Sequence, residues 1–396
     1  MRKKTDREMI MRILIFLSGL LIHGFCLAAA VYVDPATDEK HFPKTRNLLF
    51  LKPDQQTATY RNIAKVFGTR KISAGPDVYP LLRSPVDFSD FTYRIGDETR
   101  TIDDFIDSSN IVGLIVVKDD RILFERYAAG NTEDSVWVSF SIAKSVTSML
   151  LGAAIRDGYI KSVDEKVSHY LPALKGSSYD QASIKNVLQM ASGTQWNEDY
   201  GDPNSDVANT PQGEQLLEYL GAKKRVAPPG DKFNYNTGET NLIGALIRAA
   251  IGRNLAPYLT EKIWKPFGME SDANWLIETE GGGELGGCCI NATLRDYARI
   301  GIFAMKGGQL RDGTEVLADN WMRDSTTPSK GYQGYGYLWW LFGEEIFGGL
   351  GIFGQSIFID PKKNAVIVTH SAWSNAGDST YRQNRAEFIR AMLETL

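Results

Sequence analysis

The chain has 396 residues, 43% hydrophobic and 11% aromatic, with a formal net charge of -4. That length suits one large domain or two interlocked lobes, and the composition is that of a folded globular protein. The charge balance excludes an electrostatic footprint for nucleic acid: outside the N-terminus the longest basic run is Lys223-Lys224-Arg225, which reads as a solvated turn.

Residues 1–30 differ from the rest. Arg2, Lys3, Lys4, Arg7 and Arg12 precede the apolar run Ile13 to Ile22, and Ala28-Ala29-Ala30 follows. A basic start, a short apolar core and a small-residue end describe a secretory signal peptide, so the chain is expected to be exported, to the periplasm, with no membrane association once the signal is removed. The alternative is an uncleaved anchor, since apolar character continues weakly to Val33. Residues 31–94 carry Pro43, Pro53, Pro76, Pro80 and Pro85 and read as an irregular segment with little chemistry.

Residues 95–396 form the expected main domain. Ile111–Val117 and Ile122–Tyr127 flank the turn Lys118-Asp119-Asp120-Arg121 and predict a hairpin. A helix is predicted from Ser141 to Arg156, stopped by Asp157-Gly158. Residues 160–310 read as a helical lobe, with helices at Ile184–Ala191, Glu214–Leu220, Asn241–Ile251 and Tyr258–Phe267. Strand signals return at Tyr335–Leu341, Gly354–Asp360 and Ala365–Ser371, and an amphipathic helix closes the chain over Thr380–Leu396. Strands at both ends and helices between them predict an α+β fold: an antiparallel sheet flanked by helices, with an inserted all-helical lobe.

The four histidines, His23, His41, His169 and His370, have no metal-ligand spacing, and neither a metal nor another cofactor is expected. Three cysteines make no disulfide framework. Cys26 falls in the leader. Adjacent Cys288 and Cys289 read as small buried residues, a vicinal disulfide being the alternative.

Ser141-Ile142-Ala143-Lys144 is the only Ser-x-x-Lys in the chain. Such a pair is expected about once by chance at this length, so its weight comes from its position at a helix start. Residues i and i+3 share a helix face, which brings the Lys144 amine beside the Ser141 hydroxyl. A neutral lysine can take the serine proton, and the helix N-terminus leaves N–H groups free for an oxyanion. Tyr235, in Phe233-Asn234-Tyr235-Asn236-Thr237-Gly238, is the second candidate. A phenol among cationic or polar groups loses its proton more readily than usual and can serve as base, then acid.

The order Ser141-x-x-Lys144, Met190-Ala191-Ser192-Gly193-Thr194, Pro229-Gly230-x-x-Phe233-x-Tyr235 and Trp264-Lys265-Pro266-Phe267-Gly268-Met269 resembles the serine β-lactamase and penicillin-recognising superfamily, on its class C and esterase side. Trp196-Asn197-Glu198-Asp199-Tyr200, Arg295-Asp296-Tyr297-Ala298-Arg299 and Gly336-Tyr337-Leu338-Trp339-Trp340 are similar to the 6-aminohexanoate-dimer hydrolase branch. The resemblance covers roughly residues 95 to 390. It implies Ser141 as acylated nucleophile, Lys144 as the general base or the group that tunes it, and Tyr235 as its partner in proton transfer. The implied oxyanion hole is the backbone N–H of Ser141 and that of Ile352. It also implies substrate contacts from Tyr200 to a scissile amide and from Asp206 to a substrate amine.

Two departures bear on substrate. Thr237 stands where the family often has an amide side chain, and the Lys-Thr-Gly strand motif has no match in Gly348 to Phe353. That cation normally grips a substrate carboxylate. The reading is therefore a serine hydrolase acting on a small-molecule amide or ester, the alternatives being a D-amino-acid peptidase or weak β-lactamase, and a non-catalytic cell-envelope binding protein on the same scaffold. A Ser-His-Asp hydrolase using His370 lacks a Gly-x-Ser-x-Gly elbow.

Overall fold

The computed structural model of the chain describes residues 31–44, 47–213 and 215–396. The leader at 1–30 lies outside the described residues. Among the described residues no helix is long and apolar enough to cross a membrane.

The central sheet has seven strands among the described residues, in the order Trp340–Leu341, Phe347–Leu350, Ser356–Asp360, Ala365–Ser371, Ile111–Lys118, Arg121–Tyr127 and Leu82–Arg83. Pairing is antiparallel except at the edge strand Leu82–Arg83, which runs parallel to Arg121–Tyr127. The expected hairpin is present. Ala365–Ser371 pairs with Ile111–Lys118, joining the two ends of the domain.

Alternation explains the layers. Leu114, Val116 and Ile367 turn to one face, where Phe105 of the Ile102–Ser108 helix and Phe388 of the Ser379–Thr395 helix stack with ring centroids 3.8 Å apart. Ile115, Val117, Val366 and Val368 turn to the other face, against the Ile142–Arg156 and Leu294–Met305 helices. Successive strand residues point to opposite faces, so a strand covered on both sides is apolar throughout. Ile142–Arg156 is the innermost helix, buried from Ile142 to Ala154. Each fully buried Leu, Ile or Met in it contributes about 1.5–3 kcal/mol.

The structure departs from the sequence expectations in three places. The lobe is not all helical: Ala273–Leu276 and Ile290–Thr293 lie within it and form a second sheet with Thr69–Ile72 and Val136–Val138. Of Tyr335–Leu341 only Trp340–Leu341 pairs as strand. Tyr335, ahead of that strand, meets the Tyr235 ring edge-on, and Trp340 within it stacks on the same ring. Finally, residues 31–94 contribute structure as well as connection. The Pro53–Tyr60 helix places Tyr60 against Phe140, ring centroids 5.1 Å apart.

Candidate active site

Ser141 caps the N-terminus of the Ile142–Arg156 helix. Phe140 just before it has φ 45°, a left-handed conformation costly for a bulky residue. Its ring is held by Tyr60 and by Phe353, 5.0 Å away, so packing on both sides fixes the turn that presents Ser141. Close approach on the far side comes from Gly286-Gly287. A Cβ on Gly286 would lie 2.4 Å from the Thr240 carbonyl oxygen, so only glycine lets this segment rest on the Thr237–Ile251 helix. Gly287 N then donates to Asn241 Oδ1 at 2.8 Å, and Gly287 O points at Lys144.

Lys144 is 1% exposed. Its Nζ lies 3.1 Å from Ser141 Oγ, 3.0 Å from Thr237 Oγ1 and 2.8 Å from Gly287 O. Burial draws its pKa down from 10.5 to about 8, against an opposing pull from the Glu198 carboxylate. The ammonium is thus within reach of neutrality near physiological pH, as a base for a serine needs.

The Tyr235 ring lies 5.4 Å from Lys144 Nζ, with its phenol beside the Ser141 side chain. It is not acidified as expected. Burial pushes its pKa up, the Ser141 contact opposes that, and the Glu198 charge adds to it. A phenol in such surroundings keeps its proton, which fits a donor to a leaving group better than a base.

The Ser141 helix start, Tyr200, Thr237, Gly287 and Ile352 line a cleft of about 700 Å³. Among the described residues, the backbone N–H groups of Ser141 and Ile352 meet no acceptor. Both residues line the cleft, so both donors are free for a ligand oxygen. Apolar side chains also line it, among them Leu49, Phe67, Val207, Leu276 and Ile277.

Residues 99–391 match the beta-lactamase family model. The chain belongs to the beta-lactamase family. Within that family it is 28% identical over 285 residues to a 6-aminohexanoate-dimer hydrolase from Paenarthrobacter ureafaciens, spanning 65% of this chain and 72% of that protein. It is 22% identical over 189 residues to a beta-lactamase from Pseudomonas fluorescens, spanning 46% and 51%. A Bacillus anthracis protein provisionally titled a 6-aminohexanoate-dimer hydrolase shares the fold with a TM-score of 0.77 and 22% identity, covering 86% of this chain and 95% of that one. A class C beta-lactamase mutant superposes with a TM-score of 0.54 at 19% identity, covering 74% and 95%. The protein is a hydrolase of the beta-lactamase type.

The strand Phe347–Leu350 lies directly on the Ile142–Arg156 helix: a Cβ on Gly349 would come within 3.2 Å of Ser145 Oγ, and the strand carries no cation. Among the described residues lining the cleft the charged ones are Glu278 and Glu280. Glu278 is paired with Arg248 at 3.1 Å.

The two expected substrate contacts fare differently. Tyr200 lines the cleft, and its hydroxyl donates to Glu198. Asp206, expected to meet a substrate amine, is already occupied. Its carboxylate takes an ion pair from Lys223 and hydrogen bonds from the Tyr219 hydroxyl at 2.6 Å and Asn197 N at 2.8 Å. It pins the loop and does not line the cleft. Of the adjacent cysteines, Cys289 is buried as expected, Cys288 lines the cleft, and the two are paired with each other, the alternative named above.

Sequence reasoning assigned no role to Glu198. Its Oε2 accepts from Thr237 N at 2.9 Å and from the Trp196 indole N–H, and its Oε1 from the Tyr200 and Thr237 hydroxyls. In the sequence it is one acid in a polar loop; only its place in Trp196-Asn197-Glu198-Asp199-Tyr200 hinted at more.

Proposed function

We propose that the protein is a serine hydrolase that cleaves a small amide or ester through an acyl-enzyme on Ser141. The observation that carries this reading is the contact between the buried Lys144 amine and the Ser141 hydroxyl. Neutral Lys144 takes the Ser141 proton as Oγ attacks the carbonyl carbon. The N–H groups of Ser141 and Ile352 receive the oxyanion. Tyr235 gives its proton to the departing amine or alkoxide and is reprotonated through Lys144. Water then attacks the acyl carbon by the same groups in reverse, freeing the acid and Ser141.

Support for the substrate class comes from the cleft. Its apolar side chains suit an acyl chain, and Glu280, which has no cationic partner among the described residues, disfavours a free carboxylate there. That argues against β-lactams and D-alanyl peptides. The relative from Paenarthrobacter ureafaciens is named for an amide dimer, which makes linear amides the first substrates to try beside short acyl esters. Export to the periplasm, expected from the basic and apolar leader, belongs to the same reading.

The test is labelling with a fluorophosphonate followed by mass mapping of the adduct. An adduct on Ser141, lost in Ser141→Ala and strongly slowed in Lys144→Ala and Tyr235→Phe, is the expected result. Folded protein that takes no adduct refutes the reading. Nitrocefin turnover faster than ester turnover would restore the β-lactamase alternative.

A further inference from the structure

The three hydrogen-bond directions of Lys144 Nζ are not equivalent. Gly287 O can only accept. Thr237 Oγ1 has one hydrogen, and that hydrogen goes to Glu198 Oε1. Toward Lys144 the threonine therefore presents a lone pair, and it too must accept. Ser141 Oγ is the one neighbour that can reverse, accepting from an ammonium or donating to an amine. A neutral amine has two N–H bonds and one lone pair. With both N–H bonds claimed by Gly287 and Thr237, the lone pair is left facing the Ser141 hydroxyl.

We propose that Glu198 is a positioning residue which, by fixing the Thr237 hydroxyl as an acceptor, aims the Lys144 lone pair at Ser141. The inference rests on the acyl-enzyme reading above. Glu198 is itself well held, since Thr237 N and the Trp196 indole can only donate and they secure Oε2. An amide at this position would undo the arrangement. In Glu198→Gln the side chain would keep its oxygen on those two N–H groups and turn its NH2 toward Thr237. The threonine hydrogen would then be free to point at Lys144 and compete with Ser141 for the lone pair. Thr237 is also where this chain departs from the family's usual amide, so hydroxyl and carboxylate act here as one unit.

Glu198 has a second effect of opposite sign. Its charge favours the ammonium form of Lys144. The other titratable groups facing Lys144 are Tyr235, from the turn before the Thr237–Ile251 helix, and Tyr200, beside Glu198. Glu239 on that helix is turned away to Ser192 and Asn236. The nucleophile helix carries no further charge before Arg156. Removing the Glu198 charge therefore moves the acid limb of activity to lower pH while the plateau falls.

The experiment measures the fluorophosphonate labelling rate of the full chain from pH 6 to 10 for wild type, Glu198→Gln, Thr237→Val and Thr237→Ser, with melting temperatures alongside. For Glu198→Gln the expected plateau is lower by roughly tenfold or more, within the 10²–10⁴ that general base catalysis supplies, and the midpoint lies below that of wild type. Thr237→Val falls comparably, and Thr237→Ser recovers most of the rate. An unchanged plateau and midpoint in folded Glu198→Gln overturns the proposal. So does a Thr237→Ser rate as low as that of Thr237→Val. Should Glu198→Gln not fold, the Val and Ser pair decides by itself. Carbon NMR of labelled lysine reads the Lys144 midpoint without any reaction. If wild type takes no label, the acyl-enzyme reading fails; if it labels and folded Glu198→Gln keeps the wild-type plateau, the positioning role alone fails.

Discussion

Acidifying the medium should switch the enzyme off through Lys144 alone. Burial lowers its pKa from 10.5 to about 8, which corresponds to about 3 kcal/mol against charging it in place. In the proposed mechanism Lys144 acts as base only when neutral, so activity should rise with pH and level off above about 8. At pH 7 about one molecule in ten holds the neutral amine, and each further unit down costs about tenfold. A lysine of ordinary pKa would leave only about one in three hundred neutral at pH 8. The assay is kcat/KM for a short p-nitrophenyl ester from pH 6 to 10 at constant ionic strength, with Ser141→Ala as blank. This ratio reports the free enzyme's ionisations. A flat profile, a midpoint near that of free lysine, or the same limb in Lys144→Ala would refute the reasoning.

Other perturbations test the parts around that base. Gly286→Ala drives a methyl into the Thr240 carbonyl and should cost about 1–3 kcal/mol in urea unfolding, with labelling of Ser141 slowed as Gly287 O is displaced. Asp206→Asn breaks the Lys223 pair and should lower stability by about 1–3 kcal/mol; a selective rise in KM for amine-bearing substrates would show instead that Asp206 reaches them. Tyr60→Ala removes the ring that braces Phe140 and should cost about 3–5 kcal/mol, and the surviving folded fraction should label more slowly than wild type.

Much of this was legible in the sequence because the signals are local. The hairpin at Ile111–Tyr127 follows from alternation and a turn, and the Ser141–Lys144 contact from the geometry of a single helical turn. The second sheet was not, since its strands are four residues or fewer and Thr69–Ile72 finds its partner in Ala273–Leu276, far along the chain. Tyr335–Leu341 misleads because aromatic residues favour strands and also favour ring-on-ring packing, and here packing on Tyr235 prevails. The ionisation of Tyr235 could not be read from its neighbours in sequence, because burial decides it and burial is a tertiary property. Glu198 escaped notice for the same reason: two of its four hydrogen bonds come from Thr237, which only the fold brings near.

The pairing of Ala365–Ser371 with Ile111–Lys118 also sets a timetable. The helix that starts after Ser141 leaves the ribosome early, while Ile352 and the strands that seat it emerge near the end. The whole helical lobe is threaded out in between. Nascent chain therefore carries the serine and lysine without Ile352 and the strands that pack beside them, and a truncated product lacks the closing strands altogether. Pairings this distant are slow to form, so the serine gains its surroundings in the last stage of folding, wherever that stage takes place.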